Sequence, residues 1–196
     1  MALCSLFAIG IGIMAYSPIY RSHRLVRKMG QLKVGVSDFS ETERIARLLN
    51  MEENPEVPCS PQECLWRIDI DNGYLPNFWT GQKTTLTAGL RVESNRLVST
   101  YLDFGEVRDP YFTGIMSSES IPSLWKTHSP ADVGYRTDLS GRYLVAIINI
   151  SPSASEEVKR KYLAFNLNCF WRYYGCKDAF DFLPVLRNDP RLQAFN

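Results

Sequence analysis

The spacing of hydrophobic residues changes several times along this chain, and each change predicts a different element. From Ala2 to Tyr20 there is no charged residue at all. A helix needs ~20 apolar residues to span the ~30 Å hydrocarbon core of a bilayer. A buried helix of that length would carry a polar stripe, and this run carries none. Residues 1–20 are therefore expected to form a transmembrane anchor. The residues before the run include no Lys or Arg, and Pro18 follows the small-x-small triplet Ala15-Tyr16-Ser17. A proline just past a cut suits a signal peptidase cleft poorly, so a retained signal-anchor is expected. Within it, Ser5, Ala8, Gly12 and Ala15 recur at helical spacing. Such a face of small residues lets transmembrane helices pack closely.

Charge then arrives abruptly. Arg21, Arg24, Arg27, Lys28 and Lys33 crowd into residues 21–36, a basic juxtamembrane neck. Beyond it the chain reads as a single α+β domain over residues 37–196. Ser40-x-x-Glu43 has the form of a capping box and predicts a short helix over about 41–49, with Ile45, Leu48 and Leu49 on its apolar face. A Pro-rich acidic loop follows. The period then shortens to two: Trp66, Ile68 and Ile70 alternate with Arg67, Asp69 and Asp71, the mark of a half-buried strand.

Residues 84–92 and 96–104 alternate in the same way around a turn at Glu93-Ser94-Asn95. They predict a hairpin with Leu86, Ala88, Leu90 and Val92 on one strand and Val98, Thr100, Leu102 and Phe104 on the other. Residues 105–132, broken by Pro110, Gly114, Pro122 and Pro130, read as a long irregular excursion. Strands are expected at 133–137 and 142–150. The second is apolar on both faces, which predicts the centre of the sheet. Ser153-x-x-Glu156 is a second capping box, opening a long helix over about 154–174 that stops at Gly175. The predicted fold is thus an N-terminal transmembrane helix followed by one domain with an antiparallel sheet of about five strands and two or three helices packed on one face.

Composition adds limits. Of 196 residues, 22 are Lys or Arg and 21 are Asp or Glu, for a net charge of +1. Nothing in that balance draws the chain to nucleic acid. Aromatic residues make up 12%, far from the composition of disordered chains. Four of the five cysteines fall in close pairs, Cys59 with Cys64 and Cys169 with Cys176. Neither spacing is that of a zinc site, so both pairs are disulfide candidates, and disulfides persist in oxidising compartments. The neck arginines favour a cytoplasmic domain by the positive-inside rule. The cysteines favour an extracytoplasmic, periplasm-like one, and that side is expected here.

Catalytic signatures are missing: there is no P-loop, no dinucleotide fingerprint, no nucleophile elbow and no His-Glu-x-x-His. The two histidines, His23 and His128, lie beside the expected membrane and in a Pro-rich loop. Asp69-x-Asp71-Asn72-Gly73 is the most site-like cluster, a candidate cation site. It lacks the later ligands of an EF-hand, since Gly73 and Thr80 stand where ligands belong. Trp171 and Arg172, in an aromatic-rich run, are candidates for a partner surface. The sequence therefore predicts a non-enzymatic, single-pass membrane protein without cofactor or metal, an accessory subunit of a membrane or envelope assembly. Its expected partners are the lipid bilayer and other transmembrane helices or complex subunits. The alternatives are an anchored ligand-binding domain, with its pocket between the sheet and the 105–132 excursion, or a metal-dependent enzyme using Asp69 and Asp71.

Overall fold

The computed structural model describes residues 18–71, 82–108, 111–120, 131–137, 143–168 and 179–188, with side chains over somewhat fewer. Helix α1 covers residues 18–29. It buries Ile19, Ser22, Leu25 and Met29, spaced three or four apart and so on one face. Arg21, His23 and Arg27 take the outer side. Ile19, expected at the end of the anchor, is a core residue of the domain, and the basic neck packs into that core through Leu25, Met29, Leu32 and Val34. No helix among the described residues is long and apolar enough to cross a membrane. Most of the expected anchor, with Ser5, Ala8, Gly12 and Ala15, lies outside the described residues.

After α1 the chain turns at Gly35, whose φ of 80° is a backbone conformation that glycine adopts at little cost. The Gly35 N–H donates to Leu97 O, and the Leu97 N–H donates to Ser37 O. Helix α2 runs over Phe39–Leu48. Its cap is Asp38, whose carboxylate accepts from the Glu41 N–H at 2.8 Å. The cap therefore lies two residues before Ser40, the cap that the sequence suggested. It ends in a Schellman turn: Asn50 has φ 53°, and the Met51 and Asn50 N–H groups donate to Ala46 O and Arg47 O. Arg24 of α1 donates to Leu48 O at 2.8 Å, so one helix caps the next. Ile45 and Leu49 are buried, but Leu48 is 41% exposed, unlike the expected apolar face.

Strands β1 (Glu52–Glu53), β2 (Glu63–Asp71), β3 (Gln82–Glu93), β4 (Arg96–Arg108), β5 (Tyr111–Ser120), β6 (Ala131–Thr137) and β7 (Tyr143–Ile150) form one seven-stranded sheet in the order β1-β2-β3-β4-β5-β7-β6. All pairings are antiparallel except β5 with β7. The apolar residues of β2 and β3 point inward as their alternation predicted. The β3–β4 turn places both Ser94 and Asn95 at positive φ, the two-residue turn whose twist suits a hairpin.

In β4 the register shifts opposite Arg91 and Val92, so Val98 is an extra residue. Leu97 therefore takes the inward place opposite Val92 that alternation had given to Val98. The expected irregular excursion at 105–132 is replaced largely by sheet: β4 continues to Arg108, and β5 pairs with it along its whole length. Strand β7 is not central. It lies between β5 and the edge strand β6, and β4 holds the middle.

Helices cover one face. Helix α3 (Glu156–Leu163) is capped by Ser155, whose hydroxyl accepts from the Val158 N–H. The expected cap, Ser153, shares a hydrogen bond with Ser151 instead. Helix α3 ends at Leu163, far short of the expected 174. Ala164, at φ −80° and ψ 67°, makes an inverse γ-turn in which the Phe165 N–H donates to Leu163 O. Phe165 then stacks on Phe182 of α4 (Ala179–Phe182) at 4.8 Å, and Phe182 stacks on Phe104 of β4 at 4.2 Å. A 3-10 turn at Pro184–Asn188 buries Leu186. On the β2 side, Phe39 of α2 packs on Trp66 at 5.5 Å.

Candidate functional site

The helical layer leaves a seam. Helix α2 packs over β3 and β4, and α4 packs over β4 and β5. Between the end of α1 and the turn after it on one side, and α3 on the other, lies a groove of about 640 Å³. Sites for small ligands typically enclose ~300–1,000 Å³. Thr100 and Leu102 of β4 and Ser117 and Glu119 of β5 form its floor, because residues two apart on a strand share a face. Val26, Met29, Leu32 and Val34 line one wall, and Leu163 and Phe165 line the other.

Two polar features stand inside this lining. Lys159 of α3 donates from Nζ to Glu119 Oε1 at 3.0 Å and to Pro152 O at 2.9 Å. Their side chains are 20% and 15% exposed, so each charge depends on the other. Beside them, Ser117 is 1% exposed, and its Oγ has no hydrogen-bond partner among the described residues. A buried hydroxyl without a partner costs about 1–3 kcal/mol. Thr84 Oγ1 is also buried and unpaired among the described residues, but it does not line the groove. At the mouth stand Lys33, Glu156 and Arg160. Neither Lys33 Nζ nor the Arg160 guanidinium has an ion pair among the described residues.

The opposite face of the sheet carries a different cluster. Register places Arg67, Gly89, Tyr101, Ser118 and Asn149 side by side across the strands, with Asp69, Thr87 and Asp103 in the next row. The Arg67 guanidinium donates to Asp69 at 3.2 Å, and Thr87 donates to the same carboxylate oxygen. Thr85 donates to Asp71 at 2.7 Å. Burial pushes the Asp103 carboxyl above the usual carboxylate range; Arg67 opposes the shift and Asp69 adds to it. Burial likewise raises the Tyr101 phenol. The Tyr101 ring lies over Gly89, where an added Cβ would fall 2.1 Å from it.

Asp69 and Asp71 thus project from this open face, each held by a threonine across the strand pair. Among the described residues no group of three or more His, Cys, Asp or Glu side chains is placed to hold a metal. Cys59 and Cys64 form a disulfide with a Cα–Cα distance of 4.4 Å. Cys169, Cys176, Trp171, Arg172 and His128 lie outside the described residues. The groove lies between helices and sheet, and two residues of the 105–132 segment, Ser117 and Glu119, form part of its floor as members of β5. Its residues Ser117, Glu119 and Lys159 were not singled out by the sequence. Comparison with family models, with curated proteins and with solved structures finds no match to this chain.

Proposed function

We propose that the chain is a non-enzymatic accessory protein of a membrane or envelope assembly, held by its N-terminal apolar run, and that its folded domain works by binding a ligand in the groove beneath α1 and α3. One observation carries the ligand-binding part: a groove of about 640 Å³ whose floor holds a buried hydroxyl without a partner. A core seam with no occupant gains nothing from such a group, whereas a ligand with a matching polar atom offsets its cost.

Thermal unfolding of the full chain in zwitterionic nanodiscs, screened against amphiphiles and water-soluble metabolites, tests this. A ligand present at 100 times its Kd stabilises by about 2.7 kcal/mol. The stabilisation should vanish in Ala164→Trp, which adds an indole at an exposed residue of the groove's lining without removing a core side chain. If no compound shifts the midpoint, or if Ala164→Trp responds like the parent, the groove is not the site. For the accessory role, gentle extraction and sizing should give a particle larger than one chain with a co-purifying partner; a bare monomer counts against it.

A further inference from the structure

We infer that the groove takes a single-chain amphipathic anion carrying a second, uncharged oxygen toward its apolar end, with the anionic group at Lys33 and Arg160 and the second oxygen on Ser117 Oγ. This rests on the reading of the groove as a ligand site and specifies its chemistry.

The α1 wall is mostly aliphatic, and Leu163 and Phe165 add apolar surface on the other side beside the charged Glu156, Lys159 and Arg160 of α3, so the part of the ligand that lies along α1 is apolar. Inside, Lys159 and Glu119 neutralise each other at 3.0 Å and leave no net charge for a ligand to match. The mouth has Lys33 and Arg160 as cations and Glu156 as an anion, a net of one positive charge. Glu156 lies one turn before Arg160 on the same face of α3 and offsets part of its charge, so Lys33, across the mouth from α3, leaves the mouth net positive, and an anion fits there. The floor asks for something else. Ser117 is enclosed on a strand flanked by β4 and β7, and its hydroxyl can both donate and accept. A carboxylate at that depth would sit beside Glu119 and be repelled. A hydroxyl or carbonyl oxygen would not. The lining therefore selects two polar groups of different charge, separated by an apolar stretch.

The experiment is calorimetric titration of the full chain in zwitterionic nanodiscs, with empty nanodiscs subtracted. The probes are decanoate, 10-hydroxydecanoate, 12-hydroxydodecanoate, decanol and decyltrimethylammonium. At least one ω-hydroxy acid should bind up to about tenfold tighter than decanoate, the worth of one hydrogen bond. Ser117→Ala should remove that advantage while leaving decanoate binding unchanged. It should also unfold at or above the parent temperature, since it deletes an unpaired buried hydroxyl. The double variant Lys33→Glu with Arg160→Glu should reverse the preference for anion over decyltrimethylammonium.

If the hydroxy acids gain nothing over decanoate, or keep their gain in Ser117→Ala, the assignment of Ser117 is wrong. If decanol and decyltrimethylammonium match decanoate while Ala164→Trp still abolishes binding, the groove is a ligand site for another chemistry and the anion is wrong. If Ala164→Trp changes nothing, or the heat equals that of empty nanodiscs, the groove reading itself fails. Binding that requires vesicles of anionic diacyl lipid, with none of the free acids bound, would replace the single-chain ligand with a bilayer headgroup and overturn the inference.

Discussion

The two faces of the sheet solve different problems with the same strands. On the helix side Trp66, Leu90, Phe104, Ile115 and Ile148 are fully or almost fully buried, and stability there comes from area removed from water. On the other side Arg67, Asp69, Thr87, Tyr101 and Asp103 form a polar lattice, where cross-strand pairs are worth only ~0.2–1 kcal/mol each. The groove belongs to the first face but breaks its rule. It places an ion pair and an unpaired hydroxyl on a face whose other buried residues are mostly apolar, Thr84 being an exception. A polar group on the open face is ordinary; the same group at the base of the seam needs a partner or a purpose.

The largest test of this contrast removes a core contact. Phe182→Ala strips the ring stacked on both Phe104 and Phe165 and should cost about 3–5 kcal/mol in urea unfolding. A loss under 1 kcal/mol would mean that α4 is not part of the cooperative core. Next comes the seam. Lys159→Met leaves Glu119 half-buried without its partner and should cost about 2 kcal/mol, while the double change with Glu119→Leu should recover most of it. Additive losses would show the pair to be independent. On the open face, Gly89→Ala forces the Tyr101 ring aside and should cost about 1 kcal/mol. Tyr101→Ala should remove that cost, giving a coupling of similar size in a double-mutant cycle.

The smallest effect is one of pH. The Asp103 carboxyl holds its proton more tightly in the folded chain than in the unfolded one. Between those two values the folded state binds more protons, so stability falls as pH rises through the window. Asp103→Asn should flatten that slope and be more stable than the parent above it. Denaturant midpoints measured from pH 4 upward would show this, and an unchanged slope would place the proton elsewhere.

Much of this architecture was legible as period. Alternation at Trp66 to Ile70 and at Leu86 to Val92 identified two strands and their inward faces, because a half-buried strand must alternate. What escaped was sheet built from residues that punctuate. Gly105 and Gly114 stand directly opposite each other in β4 and β5, and each reads alone as a break. The Ser-rich stretch after Ile115 reads as loop, yet Ser117, Ser118 and Ser120 are buried. Both capping boxes had the right chemistry in the wrong register, since Asp38 and Ser155 compete for the same role. The groove could not be seen at all. Its charges, Glu119 and Lys159, are 40 residues apart, and no local pattern links them.

Helix α1 has a mechanical meaning beyond its packing. It is joined to the domain by Ile19, Ser22, Leu25 and Met29 and by the Arg24 bond to the end of α2. A tether would absorb rotation, but this helix transmits it. A force applied to α1 therefore turns the sheet and the open end of the groove with it, as a shaft turns the tool fixed to it.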